Sequence, residues 1–272
     1  MANEVQIKQN VGDAVISRIN SLCEGGFNMP KDYNYVNAIK MSMLKLQEVK
    51  DKNGKSCLDV CTPASIQTAL FKMCCRGLNI AFNQAYAIIR GNILCIDDSY
   101  FGKVLMVKRI YPDWNPLPVV IREGDEFELG LDPKTGAKFV AKHKTKLENT
   151  DNGFVGGYMY LPTGELFTMT KKQIMTAWSK SSSREQTTHK TFDEKMVGKT
   201  LVNSGCSMII NSTPEYQMGI DDETNEIENK LPSTFDDAEE FVEDEPTKEL
   251  VDTTTGDVLQ AENKEVKDKF DF

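Results

Sequence analysis

The chain has 272 residues, 40% of them hydrophobic and 27% charged, with a formal net charge of −9. That length can bury one full hydrophobic core. No apolar run is long enough to span a bilayer, so a cytoplasmic protein is expected.

The charge is divided unevenly. Residues 221–272 carry 19 acidic and 5 basic side chains, a balance of −14, which leaves +5 on the rest of the chain. A basic body suits a polyanionic partner, because neutralising phosphates releases condensed counterions. The acidic stretch has few large apolar residues and cannot offset the entropy of ordering, so it is expected to be largely disordered. The seven cysteines (Cys23, Cys57, Cys61, Cys74, Cys75, Cys95 and Cys206) are odd in number and irregularly spaced, as reduced thiols are. Cys57 and Cys61 have metal-like spacing but no second pair, and His143 and His189 stand alone, so no metal site is expected.

In chain order, residues 3–24 place Val11, Val15, Ile19 and Leu22 on one helical stripe, ended by Gly25-Gly26. Residues 34–49 repeat the pattern through Val36, Ile39, Met43 and Leu46. Both stripes are expected to form core within one subunit. Thr62 is a candidate cap ahead of Pro63. Ile66, Ala69, Leu70 and Met73 then share a helix face, stopped by Gly77. Residues 86–89 and 92–96 are short apolar runs broken by Arg90-Gly91, a hairpin signal. From Tyr100 the helical period returns, with Tyr100, Val104, Val107 and Tyr111 on one face and Lys103, Lys108 and Arg109 off it.

Pro112, Pro116 and Pro118 end that helix, and strand-like runs follow at 117–122, 126–131 and 138–144. In a regular strand Lys138, Lys142, Lys144 and Lys146 line one face, and Phe139, Ala141, His143 and Thr145 the other. No acid interrupts the lysine row before Glu148. Residues 154–160 and 165–169 read as another hairpin, followed by a helix bearing Lys171, Lys172, Trp178 and Lys180. The polar run 181–188 holds Arg184 between Lys180 and Lys190, donors suited to phosphate oxygens. The last helix starts at Phe192 and makes Lys195 and Lys199 neighbours on one side. The fold class is therefore α+β: helices packed with short antiparallel sheets and hairpins. A core over 1–215 and an acidic tail over 216–272 are the expected divisions.

Two blocks of residues carry a family pattern. In the first, Ala69-Leu70 is followed by Gly77-Leu78, Ala85-Tyr86, and then Tyr100, Gly102, Lys103, Leu105 and Arg109. In the second, Met169-Thr170 precedes Trp178-Ser179-Lys180, then Phe192, Met196, Lys199 and Thr200. In order and spacing these blocks resemble the RecT family of phage single-strand DNA annealing proteins. The position three beyond the Lys-Thr pair is often basic in that family and is Asn203 here. The resemblance implies an oligomeric, ATP-independent protein that binds single-stranded DNA and the annealed duplex and promotes homologous recombination. It also implies a ring or helical filament, a 5′→3′ exonuclease partner, contact with the host single-strand-binding protein, a bacterial cytoplasm, and no cofactor.

Other chemistry is weighed against this. Gly198-Lys199-Thr200 mimics the end of a phosphate-binding loop, but the glycine required five positions earlier is Asp193. Pro112-Asp113 with Asp132-Pro133-Lys134 fits a loose Mg²⁺-nuclease pattern, which needs carboxylates on adjoining strands rather than in a proline–glycine turn. A scaffold acting through its acidic tail is the third reading. For a DNA-binding protein the candidate contacts are Arg90, Phe101, Lys103, Lys108 and Arg109 in the first half. Further along they are Lys142, Lys144, Lys180, Arg184, Lys190, Lys195 and Lys199. Lys103, Arg109, Lys180 and Lys199 rest on motif and charge together, and Phe101 is the candidate for supporting bases by stacking.

Overall fold

A computed structural model describes residues 2–179 and 192–213. The described helices are α1 (Ala2–Glu24), α2 (Tyr35–Glu48), α3 (Cys57–Val60), α4 (Pro63–Cys75), α5 (Tyr100–Ile110), α6 (Lys171–Ser179) and α7 (Asp193–Asn211). The strands are β1 (Ala85–Arg90), β2 (Ile93–Asp98), β3 (Val119–Arg122), β4 (Glu126–Leu131), β5 (Lys138–Lys144), β6 (Phe154–Tyr160) and β7 (Leu166–Thr170). All pair antiparallel: β1 with β2, β4 with β5, and β3-β6-β7 as a small sheet with β6 central. This is the α+β arrangement the periodicities imply.

Local chemistry sets the helix starts. Thr62 accepts the Ser65 amide through its Oγ1 at 3.2 Å and Pro63 occupies the first turn of α4, as the cap reading requires. Ile66, Ala69, Leu70 and Met73 are all buried. Val11, Val15 and Ile19 of α1 are buried too, in a helix packed on α4 and α2. Leu22, at the last turn of that stripe, is instead 37% exposed. Thr170 and Gln173 form a reciprocal cap at the start of α6, with Gln173 Oε1 accepting the Thr170 amide at 2.8 Å.

α7 lies across the β3-β6-β7 sheet, with Leu201 seated against the backbone of Gly157. Arg122 on β3 is 7% exposed and pairs with Asp193 (2.6 Å) and Glu194 (3.4 Å) in the first turn of α7. Those carboxylates also sit at the positive end of the helix dipole, so the pairing fixes where α7 begins.

The β4–β5 hairpin corrects the expected lysine row. A bulge shifts the register between Glu128 and Leu129, so Lys142 pairs with Glu128 while Val140 pairs with Leu129. The extra residue inverts side-chain parity along β5. Lys138 therefore shares a face with Val140 and His143, while Phe139, covering Gly130, shares the other with Lys142 and Lys144. Nor is that face free of acids. Glu126 and Glu128 are the partners of Lys144 and Lys142, and Lys142 Nζ reaches Glu126 Oε2 at 2.5 Å.

The hairpin is seated by a polar cluster beneath it. Asp125 has a fully buried side chain and accepts from the Arg122 amide (2.8 Å) and Asn149 Nδ2 (3.0 Å). His143 lies between Asp125 Oδ2 (3.4 Å) and the Tyr158 hydroxyl (3.0 Å). Phe127 stacks on Tyr158 with ring centroids 5.7 Å apart. Burial raises the Asp125 carboxyl, but bonds from Thr145, the Arg122 amide, Asn149 and His143 outweigh it and hold the group well below the ordinary carboxylate range.

Candidate nucleic-acid interface

α5 is positioned by two close approaches. Ser99 caps it, accepting the Gly102 amide at 3.1 Å and donating its hydroxyl to Asn83 O at 2.6 Å. This draws Gln84 onto the first turn, so that a Cβ on Gly102 would lie 1.9 Å from the Gln84 carbonyl oxygen. At the far end, Arg109 donates to Arg76 O (2.9 Å) and Gly77 O (2.6 Å). A guanidinium there satisfies carbonyls at the C-terminus of α4 and complements its dipole. Gly77 has φ +65°, and a Cβ on it would meet Arg109 Nη1 at 2.4 Å. Only glycine fits both the conformation and the space.

α5 then packs on α7. At this seam burial pushes the Cys206 thiol up to about 12, while the Lys103 charge opposes the rise. Burial likewise raises the Tyr100 hydroxyl, Cys206 adds to that, and the Lys199 charge opposes it. Lys103 from α5 and Lys199 from α7 thus flank one seam, each half-buried, beside Tyr100 and Cys206. One turn beyond Lys199, Asn203 holds a buried Oδ1 with no hydrogen-bond partner among the described residues. Behind α7, Trp178 Nε1 donates to Thr200 Oγ1 at 2.8 Å, and the Trp178 ring packs 5.4 Å from Phe154.

The remaining expected contacts are spread more widely. Phe101 is 62% exposed and meets Tyr100 edge-on at 5.3 Å. Lys108 donates to Asn115 Oδ1 at 2.6 Å. Lys195 is exposed, 5.6 Å from the Phe192 ring centroid. Lys142 and Lys144 are exposed on the hairpin, opposite glutamates. Arg90 lies 3.7 Å from Asp97. Arg109 departs from the expectation of an outward cation, because its guanidinium is turned onto the two carbonyls of the α4 terminus. Lys180, Arg184 and Lys190, like the acidic tail, lie outside the described residues.

The two competing chemistries meet the same geometry. Gly198-Lys199-Thr200 lies inside α7, with Gly198 against Pro118, rather than in a strand-to-helix loop. Asp193 is held by Arg122. Asp132 accepts the Lys134 amide at 2.8 Å and the Thr135 amide at 3.4 Å, so its carboxylate closes the β4–β5 turn. Among the described residues no group of three or more His, Cys, Asp or Glu is arranged to hold a metal ion.

The two motif blocks meet where α5 packs on α7, with Lys103 and Lys199 at that seam; within the blocks Arg109 lies over Gly77 and Trp178 bonds to Thr200. A model of the RecT family matches residues 38–235. The chain belongs to the RecT family. No curated protein matches it. RecT proteins are phage-type single-strand annealing proteins that act in DNA recombination. In this member, Gly77, Gly102, Arg109, Trp178 and Thr200 serve the fold, and Lys103 and Lys199 lie at the seam between α5 and α7. No helix among the described residues is long and apolar enough to cross a membrane.

Proposed function

We propose that this RecT-family protein pairs complementary DNA strands without ATP, holding a single strand and then the annealed duplex along a surface centred on the α5–α7 seam. The observation that carries this reading is the placement of Lys103 and Lys199 on that seam. Annealing needs no bond made or broken. It needs the sugar–phosphate chain held extended while base edges stay free, and lysines binding phosphates without sequence preference supply that.

Lys195 extends the surface along α7, Lys108 along α5, and Lys142 and Lys144 from the hairpin. Lys180, Arg184 and Lys190 join it on charge and their place between α6 and α7 in the sequence. Arg90 and Arg109 contribute through the fold, given the partners they already have. Residues 1–215 form the annealing and oligomerising core, which assembles into a ring or helical filament on DNA. Residues 216–272 bind partners: a 5′→3′ exonuclease that supplies the single strand and the host single-strand-binding protein in the bacterial cytoplasm. The balance of −14 over 221–272 also limits indiscriminate binding to nucleic acid.

The test is to mix labelled complementary oligonucleotides with the protein in the absence of ATP, and to follow pairing and strand length. Accelerated pairing of intact strands supports the reading. Mg²⁺-dependent shortening would support a nuclease in its place, and no effect would leave the tail as the working part. A chain truncated after residue 215 should still pair strands; failure to do so would overturn the domain division.

A further inference from the structure

α3 is a single turn with a cysteine at each end. Ser56 caps it through Oγ, which accepts the Leu58 amide at 3.3 Å, and the Cys61 amide closes the turn on Cys57 O at 2.9 Å. Residues four apart in such a turn face the same way, with α-carbons about 6 Å apart. The two thiols therefore meet: Cys57 Sγ lies 3.8 Å from Cys61 Sγ. Cys57 is fully buried and Cys61 is 6% exposed, so the open side of the pair is at Cys61. The turn is anchored at both ends. The Cys57 amide donates to Val49 O at 2.8 Å, just past α2. The Thr62 amide, at the start of α4, donates to Asn92 O at 2.9 Å in the β1–β2 turn.

We propose that Cys57 and Cys61 are a reversible oxidation site, forming a disulfide across α3 that locks the joint between α2 and α4. The inference stands apart from the DNA-binding reading. Disulfides join α-carbons about 4.4–6.8 Å apart, so the sulfurs close from 3.8 Å by side-chain rotation while the turn stays wound. The oxidant is a small hydroperoxide, ROOH. It transfers one oxygen to Cys61 Sγ, giving a sulfenic acid and releasing ROH. Cys57 Sγ then attacks that sulfur, the S–O bond breaks, and the hydroxyl leaves as water with the Cys57 proton. In sum, two thiols lose two hydrogens and two electrons, and the hydroperoxide is reduced to ROH and water. Burial raises both thiols above their ordinary range, so the pair stays reduced until an oxidant is supplied. The closed loop then holds the Cys61 and Thr62 amides on their carbonyl partners.

The experiment treats the full-length protein with hydrogen peroxide, unfolds it in iodoacetamide to block free thiols, and digests it with trypsin for mass spectrometry. Peptide 56–72 holds Cys57 and Cys61 and no other cysteine. It should appear unalkylated and two hydrogens lighter, and dithiothreitol should restore both thiols. In Cys57→Ala the reaction should stop at a sulfenic acid on Cys61, captured by dimedone. In oxidised wild type, hydrogen exchange at the Cys61 and Thr62 amides should slow by about 10- to 30-fold. The peptide map and the exchange rates are read on wild type, so they decide the matter even if the alanine variant does not fold. Three results overturn the site: both cysteines alkylated after oxidation, oxygen retained on Cys61 in wild type, or either cysteine cross-linked to a different one. A disulfide that forms with exchange unchanged overturns the lock.

Discussion

Trp178 donates its indole N–H to the hydroxyl of Thr200, 22 residues later, at 2.8 Å. The same hydroxyl donates to Met196 O at 2.8 Å, so one oxygen serves both its own helix and α6. The contact fixes α6 against α7 and thereby sets the rotation of α7 that brings Lys199 to α5. Thr200→Val leaves the indole without an acceptor in a partly buried site. It should lower unfolding stability by about 1–3 kcal/mol, measured by urea titration, while Thr200→Ser should recover most of the loss.

Lys103 and Lys199 should behave as phosphate contacts. Replacing either by Gln should weaken binding to every single-stranded sequence alike. It should also reduce the slope of log K against log salt by about 0.7 per lysine, read by fluorescence anisotropy between low and moderate salt. Both side chains are half-buried, so binding is compared at a temperature where circular dichroism shows each variant fully folded. A normal salt slope in the Lys103→Gln Lys199→Gln double variant would remove these residues from the DNA surface.

Arg109 should behave in the opposite way. Lysine keeps the charge but has a single donor nitrogen in place of the rigid two-nitrogen fork that reaches the carbonyls of Arg76 and Gly77. Arg109→Lys should cost about 1.5–3 kcal/mol of stability and leave the salt slope of DNA binding unchanged once the protein is kept folded by lower temperature. Gly77→Ala should destabilise as well, because the φ of +65° and the guanidinium above it both exclude a methyl group.

Asp125 makes the hairpin acid-sensitive. Its folded carboxyl is held below the ordinary value, so its contribution to stability is complete above the unfolded pKa of about 4. That contribution is lost as pH falls from there toward the folded value. Thermal melts should therefore drop steeply below about pH 4 in wild type. Asp125→Asn should start lower at neutral pH and show a shallower fall.

Much of this was legible from residue order. Helical spacing marked α1, α2, α4, α5 and α7; Thr62-Pro63 marked a start, Gly77 a stop, and Arg90-Gly91 a hairpin turn. The family blocks singled out Lys103, Arg109, Lys180 and Lys199 alike; of these Arg109 is turned onto the α4 terminus and Lys180 lies outside the described residues. The row of lysines on β5 was misread because parity in a strand holds only while the register is regular. The bulge opposite Glu128 and Leu129 depends on β4, which lies elsewhere in the sequence.

By itself, then, the sequence determined local conformation and the division of charge, since periodicity, capping and turn chemistry act over a few neighbouring residues. Which cation is taken up by the fold was decided only by tertiary structure. Arg109 and Lys103 lie six residues apart on one helix, with similar charge. One was drawn to open carbonyls across a loop and the other left at a helix seam, because hydrogen-bond partners are assigned by packing and not by spacing.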